Sequence, residues 1–339
     1  MAKLIKTRMP GVDKFNQTVV GVPETGNEDT FDSTLERSTD PGKNWTLRIT
    51  LRIFFRQINP DQVTAPMLRI VAASLGLPVP AGVAVAAYHD YEKEAHFIKE
   101  WSGTDWSNFI GKVKAQATLW NGKFWLMPPD DFSHFDLTWV NISPGAKSNP
   151  VRYRPNVKCE FRLEIAPGHS HAHTSIDVIN LLGPSGFRSH SRLYDSDDVV
   201  PKTNSLSDWR SRVVNTTQPV VAHEIGHSLG LPHIGKTRNL IHCGLAIIAK
   251  NFDQERLPAI YKGGHGADAC YGEMATAGDI NNIMGAGDSF AVENAKPWMD
   301  RLVHHLNLTQ SESIQTMAGI GKWKVSLAEI PPMTLIGFK

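Results

Sequence analysis

One stretch constrains this chain more than any other: residues 222–234, which read AHEIGHSLGLPHI. His223 and His227 are four residues apart, so on an α-helix both imidazoles leave the same face, one turn apart. Glu224 projects to the side of that pair. Gly230 suits the left-handed conformation with which helices end, and Pro232 prevents the helix from resuming. Past that turn, His233 can swing back toward the first two histidines. The stretch therefore places three neutral nitrogen ligands around one point, with a carboxylate beside them.

A catalytic zinc ion requires such a set. Zinc prefers four tetrahedral ligands, and a catalytic site supplies three from the protein and leaves the fourth to water. The metal lowers the pKa of that water to about 7, and a neighbouring carboxylate can take its proton. A short H-E-x-x-H also arises by chance on amphipathic helices, with the histidines merely solvated. The longer H-E-x-x-H-x-x-G-x-x-H, present here in full, fixes two further positions and makes chance a poor explanation.

The extended run resembles the zinc signature of the metzincin metallopeptidases. The resemblance implies His223, His227 and His233 as metal ligands and Glu224 as general base. It also implies a methionine turn beneath the metal. NNIMGAGDS supplies one, with Met284 in a glycine-rich turn about 50 residues after His233, whereas Met274 and Met299 lie in no such turn. No tyrosine stands two residues after Met284, and Ile234 after the third histidine assigns no subfamily. The implied fold is α+β: a twisted mixed β-sheet with packing helices above the active-site helix, then a smaller C-terminal subdomain with the methionine turn and a final helix. The implied activity is that of a zinc-dependent metalloendopeptidase acting on protein or peptide substrates. Intact ligands and an intact Glu224 argue against one alternative, a silent binding protein on this fold; a zinc hydrolase of non-peptide amides, or an effector protease delivered into another cell, is the other alternative.

The rest of the chain is consistent with that reading. Its 339 residues are 41% hydrophobic and 20% charged, which describes a soluble globular protein with an ample core. A net charge of +1 offers no electrostatic argument for nucleic acid. No run reaches the roughly 18 apolar residues of a membrane span. The start, MAKLIKTRMPGVDKF, is basic without an apolar segment, so no standard secretory signal is expected. That leaves a cytoplasmic location or export by a specialised route, as for a delivered effector protease. Three cysteines are too few for a disulfide scaffold.

Three segments are expected. Residues 1–44 are polar, without an apolar period, and read as an arm. Residues 45–307 read as the catalytic domain, divided near residue 233 into upper and lower subdomains. Residues 308–339 read as a tail, either a short strand on the body or an interaction segment. Within the domain, WTLRITLRIFF (45–55) alternates as a half-buried strand does, and so does 157–165, which puts Cys159 in the core. Further strands are expected at 123–127, 135–142 and 174–180. Asp61 is expected to cap a helix through about Leu75. Thr104 or Asp105 should cap another, on which Trp106, Phe109, Ile110, Val113, Ala117 and Trp120 recur at helical spacing. The site helix should run from about Gln218 to Leu229, capped by Thr216 or Thr217.

Two other constellations remain open at this level. In GHSHAHTSID, His169, His171 and His173 alternate and would share one face of an extended segment. With Asp177 or His190 they could hold a second, structural zinc, although alternating histidines also make an ordinary polar surface. Between His233 and Met284 lies a long insertion carrying Cys243, Cys270 and YKGGHGADACYG, expected as a loop beside the cleft.

Overall fold

The alternation in WTLRITLRIFFRQI makes the spine of the molecule. In a computed structural model of the chain, Trp45–Ile58 forms strand β4, with Leu47, Ile49, Leu51, Ile53 and Phe55 buried on one face. The model describes residues 5–9, 12–17, 31–38, 43–60, 76, 84–89, 95–128, 137–139, 151–183, 187, 192–208, 210–231, 233, 276–306, 323–330 and 333–336. On the other face of β4, Arg48 pairs with Glu36 and Glu160, Arg52 with Asp32, and Arg56 with Asp177. Such solvent-facing pairs are each worth at most about 1 kcal/mol. The buried face carries most of the stability, at about 25 cal/mol per Å² of apolar surface removed from water.

Strand β4 pairs in parallel with β10 (Val157–Ile165) and β11 (Thr174–Leu181), and antiparallel with β3 (Phe31–Glu36). Around this centre the described residues build one eleven-stranded mixed sheet. On one side it continues through β3 to the hairpin of β1 (Ile5–Met9) and β2 (Val12–Gln17). On the other, β10 leads to β7 (Phe124–Met127) and β15 (Lys324–Ser326). Beside β11 lie β12 (Leu193–Asp195) and the hairpin of β5 (Val85–His89) and β6 (Ala95–Lys99). Two small sheets stand apart: β8 (Leu137–Trp139), β9 (Val151–Pro155) and β16 (Met333–Ile336), and the hairpin of β13 (Lys202–Ser207) and β14 (Val213–Gln218).

Helices cover the apolar face. Helix α1 (Gly103–Ala117) buries Phe109, Val113 and Ala117, and the turn after it buries Trp120 completely. The site helix α2 spans Val220–Ser228, α3 is a single turn at Ala277–Ile280, and α4 runs Lys296–Leu306 with Pro297 in its first turn. Trp298 of α4 donates to the Glu160 carbonyl (2.9 Å) and stacks on Trp120, tying helix, sheet and turn together. Cys159 is fully buried in the core, and burial pushes its thiol well above the usual range.

Several expectations change. Residues 1–44 supply three strands of the main sheet, with Phe31 and Leu35 in the core, where a polar arm was expected. Within 308–339, β15 and β16 pair with β7 and β9, the packed-strand outcome. Ser102 caps α1 in place of Thr104 or Asp105: its hydroxyl accepts from the Asp105 amide and donates to the Asp105 carboxylate. Thr216 and Thr217 lie in β14 and cap nothing; Pro219 is the residue before α2. The helix expected at 61–75 lies outside the described residues, as do Pro232, Ile234, His190, Met274, Cys243, Cys270 and residues 235–275 of the insertion. No helix among the described residues is long and apolar enough to cross a membrane.

Candidate metal centre

Helix α2 ends as its sequence dictates. Gly230 adopts φ +82°, its amide donates to the His227 carbonyl (2.8 Å), and the Leu231 amide donates to the Gly226 carbonyl (3.0 Å). Those two bonds are the paired closure of a Schellman end. They turn the chain so that His233 returns to the helix face.

The three histidines converge. The Nε2 atoms of His223 and His227 lie 3.1 Å apart, and those of His227 and His233 lie 3.3 Å apart. One ligand atom from each of the three residues falls within 4.8 Å of the others, the one such His, Cys, Asp and Glu group of three among the described residues. The other nitrogens decide the protonation. His223 Nδ1 faces the Ile283 carbonyl at 2.8 Å, and His227 Nδ1 faces the Leu231 carbonyl at 2.8 Å. A carbonyl oxygen only accepts, so both Nδ1 atoms carry the proton, and both neutral rings present a bare Nε2 lone pair.

Two lone pairs facing each other at 3.1 Å are repulsive unless a cation lies between them. Tetrahedral coordination with metal–nitrogen bonds of about 2.0–2.1 Å sets ligand nitrogens about 3.3–3.4 Å apart. The donor set therefore fits a metal ion. Its ring orientation is fixed from outside the ligands, by backbone carbonyls on the other ring nitrogens. Burial, and then the neighbouring His227, lower the His223 pKa to about 3. Burial likewise lowers that of His227. Both rings stay neutral at pH 7, the form that binds metal.

Glu224 lies beside the ligands and is 9% exposed. Burial and the charge of Asp198 push its carboxyl up to about 8 in the metal-free protein. A dication beside it acts in the opposite sense.

Met284 is fully buried in the turn after α3. Its amide donates to Asn282 Oδ1 (2.8 Å), and Asn282 is in turn bonded to Asn294. The Met284 sulfur packs directly against Gly226, where a Cβ would overlap it and crowd Trp120. The next glycines are equally constrained, since a Cβ at Gly285 or Gly287 would strike the backbone of Asp279 or Asn281. The preceding residue, Ile283, offers the carbonyl that orients His223, so one turn both floors the helix and sets a ligand. From the other side Trp120 Nε1 donates to the Ala222 carbonyl (2.8 Å) and holds α2 against the core.

Among the described residues the second histidine group does not assemble. His169–His171 forms a 3₁₀ turn, so these residues do not alternate along an extended strand. His169 Nδ1 contacts Ser175 Oγ at 2.5 Å. His173 accepts from the Arg52 amide through Nδ1 (2.9 Å), and its Nε2 lies 3.3 Å from Asp32. Asp177 is engaged by Arg56. Here His169 and His173 meet separate partners and not a common point.

Sequence reading missed Gly226, the bond from Trp120 to α2, the Ile283 and Leu231 carbonyls, and the pairing of buried Asp198 with half-exposed Lys202. Only Gly226 had a local signal, as a residue without a side chain inside the ligand helix. No family model matches the chain, and neither do curated proteins or solved structures.

Proposed function

We propose that the protein is a zinc-dependent metalloendopeptidase of the metzincin type. The observation that carries this reading is the convergence of three imidazole Nε2 atoms, two of them with the Nδ1 proton committed to a backbone carbonyl, beside a buried carboxylate. Three imidazoles in tetrahedral spacing suit zinc, and a three-ligand site leaves a position for water. Zinc held by His223, His227 and His233 supplies a Lewis acid and a water of lowered pKa.

The chain's own residues do the rest. Glu224 takes a proton from the attacking water and passes it to the leaving amine. Its burial excludes bulk solvent, so the proton stays local. Met284 and Gly226 keep the floor rigid, holding the ligand helix at fixed height above the Ile283 carbonyl. On this reading the sheet belongs to the upper subdomain and the Met284 turn to the lower one.

The test is a peptide-library cleavage screen read by mass spectrometry, run with the protein and with Glu224→Gln. Cleavage is expected to require metal and to fall at least about 10²–10⁴-fold in the variant, with metal content retained. A folded, metal-loaded protein that cuts nothing would favour a binding role on the same fold.

A further inference from the structure

The Ile283 carbonyl that faces His223 Nδ1 and the amide of Met284 belong to one peptide group. A peptide group is a rigid plane, so whatever holds its N–H also aims its C=O. Here the hold is a side chain. Asn282 Oδ1 accepts from the Met284 amide at 2.8 Å, the bond of an Asx turn. Asn282 Nδ2 donates to Asn294 Oδ1 (2.9 Å), and that same oxygen accepts from the Ala291 amide (2.8 Å). Backbone amides only donate, so each bonded side-chain atom is an oxygen and both Asn orientations are fixed. Both asparagines are buried.

Backbone bonds anchor the chain on either side of this plane. The Ile283 amide donates to the Ser289 carbonyl (2.6 Å), and the Gly285 and Gly287 amides donate to the Asn282 carbonyl (2.8 and 3.2 Å). Between those anchors the 283–284 peptide can still rotate, about the Ile283 ψ and the Met284 φ. Met284 is fully buried, so an amide released by Asn282 meets no water there. It turns toward another acceptor and carries the Ile283 carbonyl with it. A hydrogen bond on the N–H also polarises the peptide and strengthens its carbonyl as an acceptor.

We propose that Asn282 is a positioning residue for the ligand His223: its side chain, braced by Asn294, sets the 283–284 peptide plane, and that plane sets the His223 ring. The consequence for metal affinity rests on the three histidines being a metal centre; the positioning itself does not. His227 lies outside this relay, since its Nδ1 faces the Leu231 carbonyl at the end of its own helix.

The two rings therefore report separately. The measurement is NMR of isotope-labelled histidine in metal-free protein at pH 7, with the two Nδ1–H signals assigned by His223→Gln and His227→Gln. In Asn282→Ala the His223 signal is expected to move upfield and its proton to exchange faster with water, while the His227 signal stays in place. General loosening of the fold would move both. Asn282→Ser keeps a weaker acceptor for the same amide and should move the His223 signal by less. Should Asn282→Ala not fold, the serine variant carries the test. Zinc affinity, measured by competition with a chelator, should fall about 10- to 100-fold in Asn282→Ala. A His223 signal that stays in place, or that moves only together with that of His227, overturns the proposal while leaving the metal centre standing. A selective shift in a protein that binds no zinc would uphold the positioning and sink the metal reading instead.

Discussion

Two groups of three histidines lie within about 60 residues of each other in this chain and meet opposite fates. His223, His227 and His233 turn their Nε2 atoms toward one point, because the first two have backbone carbonyls on Nδ1 and a helix end returns the third. His169, His171 and His173 disperse: one meets a serine hydroxyl, and another sits between Arg52 and Asp32. The difference lies in what surrounds the rings. A metal site needs neutral imidazoles, each with its other ring nitrogen held by an acceptor so that the free lone pair points at the metal. His173 instead has both ring nitrogens engaged within the protein, Nδ1 by the Arg52 amide and Nε2 beside Arg52 and Asp32.

The largest expected structural effect follows from the room each group has. Gly226→Ala drives a methyl group into Met284 and Trp120, and overpacking of this kind costs typically about 1–3 kcal/mol. Metal affinity should fall with it. Gly168→Ala, beside His169, meets open space with an extended backbone, so its cost should stay within about 0.5 kcal/mol. Urea unfolding of the two variants measures both. Equal costs would mean that the Met284 floor is not packed as described.

Acid should separate the two groups by pH, with a smaller effect. In metal-free protein, burial lowers the pKa of His223, to about 3, and that of His227. The unfolded chain therefore binds protons there first, and stability should decline as pH falls below about 6.5. At the other group, burial raises the Asp32 pKa, but His173 and Arg52 outweigh it and the net shift is downward. That contribution is present above about 3.9 and is lost only as pH falls further. Glu224, raised to about 8, gives a slope of the opposite sign across about pH 4.5–8, so the titration is best made in Glu224→Gln. A variant lacking both His223 and His227 should lose the upper step and keep the lower one. If both steps persist, burial of the two rings is not the cause.

Local sequence carried some of this. The alternation of β4 and β10, the buried face of α1 and the glycine end of α2 were legible because each is set by residues a few positions apart. Strands β13 and β14 were not: KTNSLS and VVNTTQ carry little apolar alternation. They are anchored by Thr216 and Asn204 on the carbonyl of Ala286, some 70 or 80 residues away. The strands in residues 1–44 escaped for a similar reason, since Phe31 and Leu35 acquire meaning only against β4. At the site, ligand spacing was readable from the helix period. The acceptors on Nδ1 were not, because Ile283 is 60 residues from His223.

The central claim is that one histidine group holds a metal and the other does not, and metal stoichiometry tests it most directly. Zinc per chain would be measured after equilibrium dialysis for the protein, for His233→Ala, and for a variant with His169, His171 and His173 all replaced by alanine. One zinc per chain is expected in the protein and in the triple variant, with most of the affinity lost in His233→Ala. Full occupancy in His233→Ala, or two zinc ions per chain falling to one in the triple variant, would contradict the account.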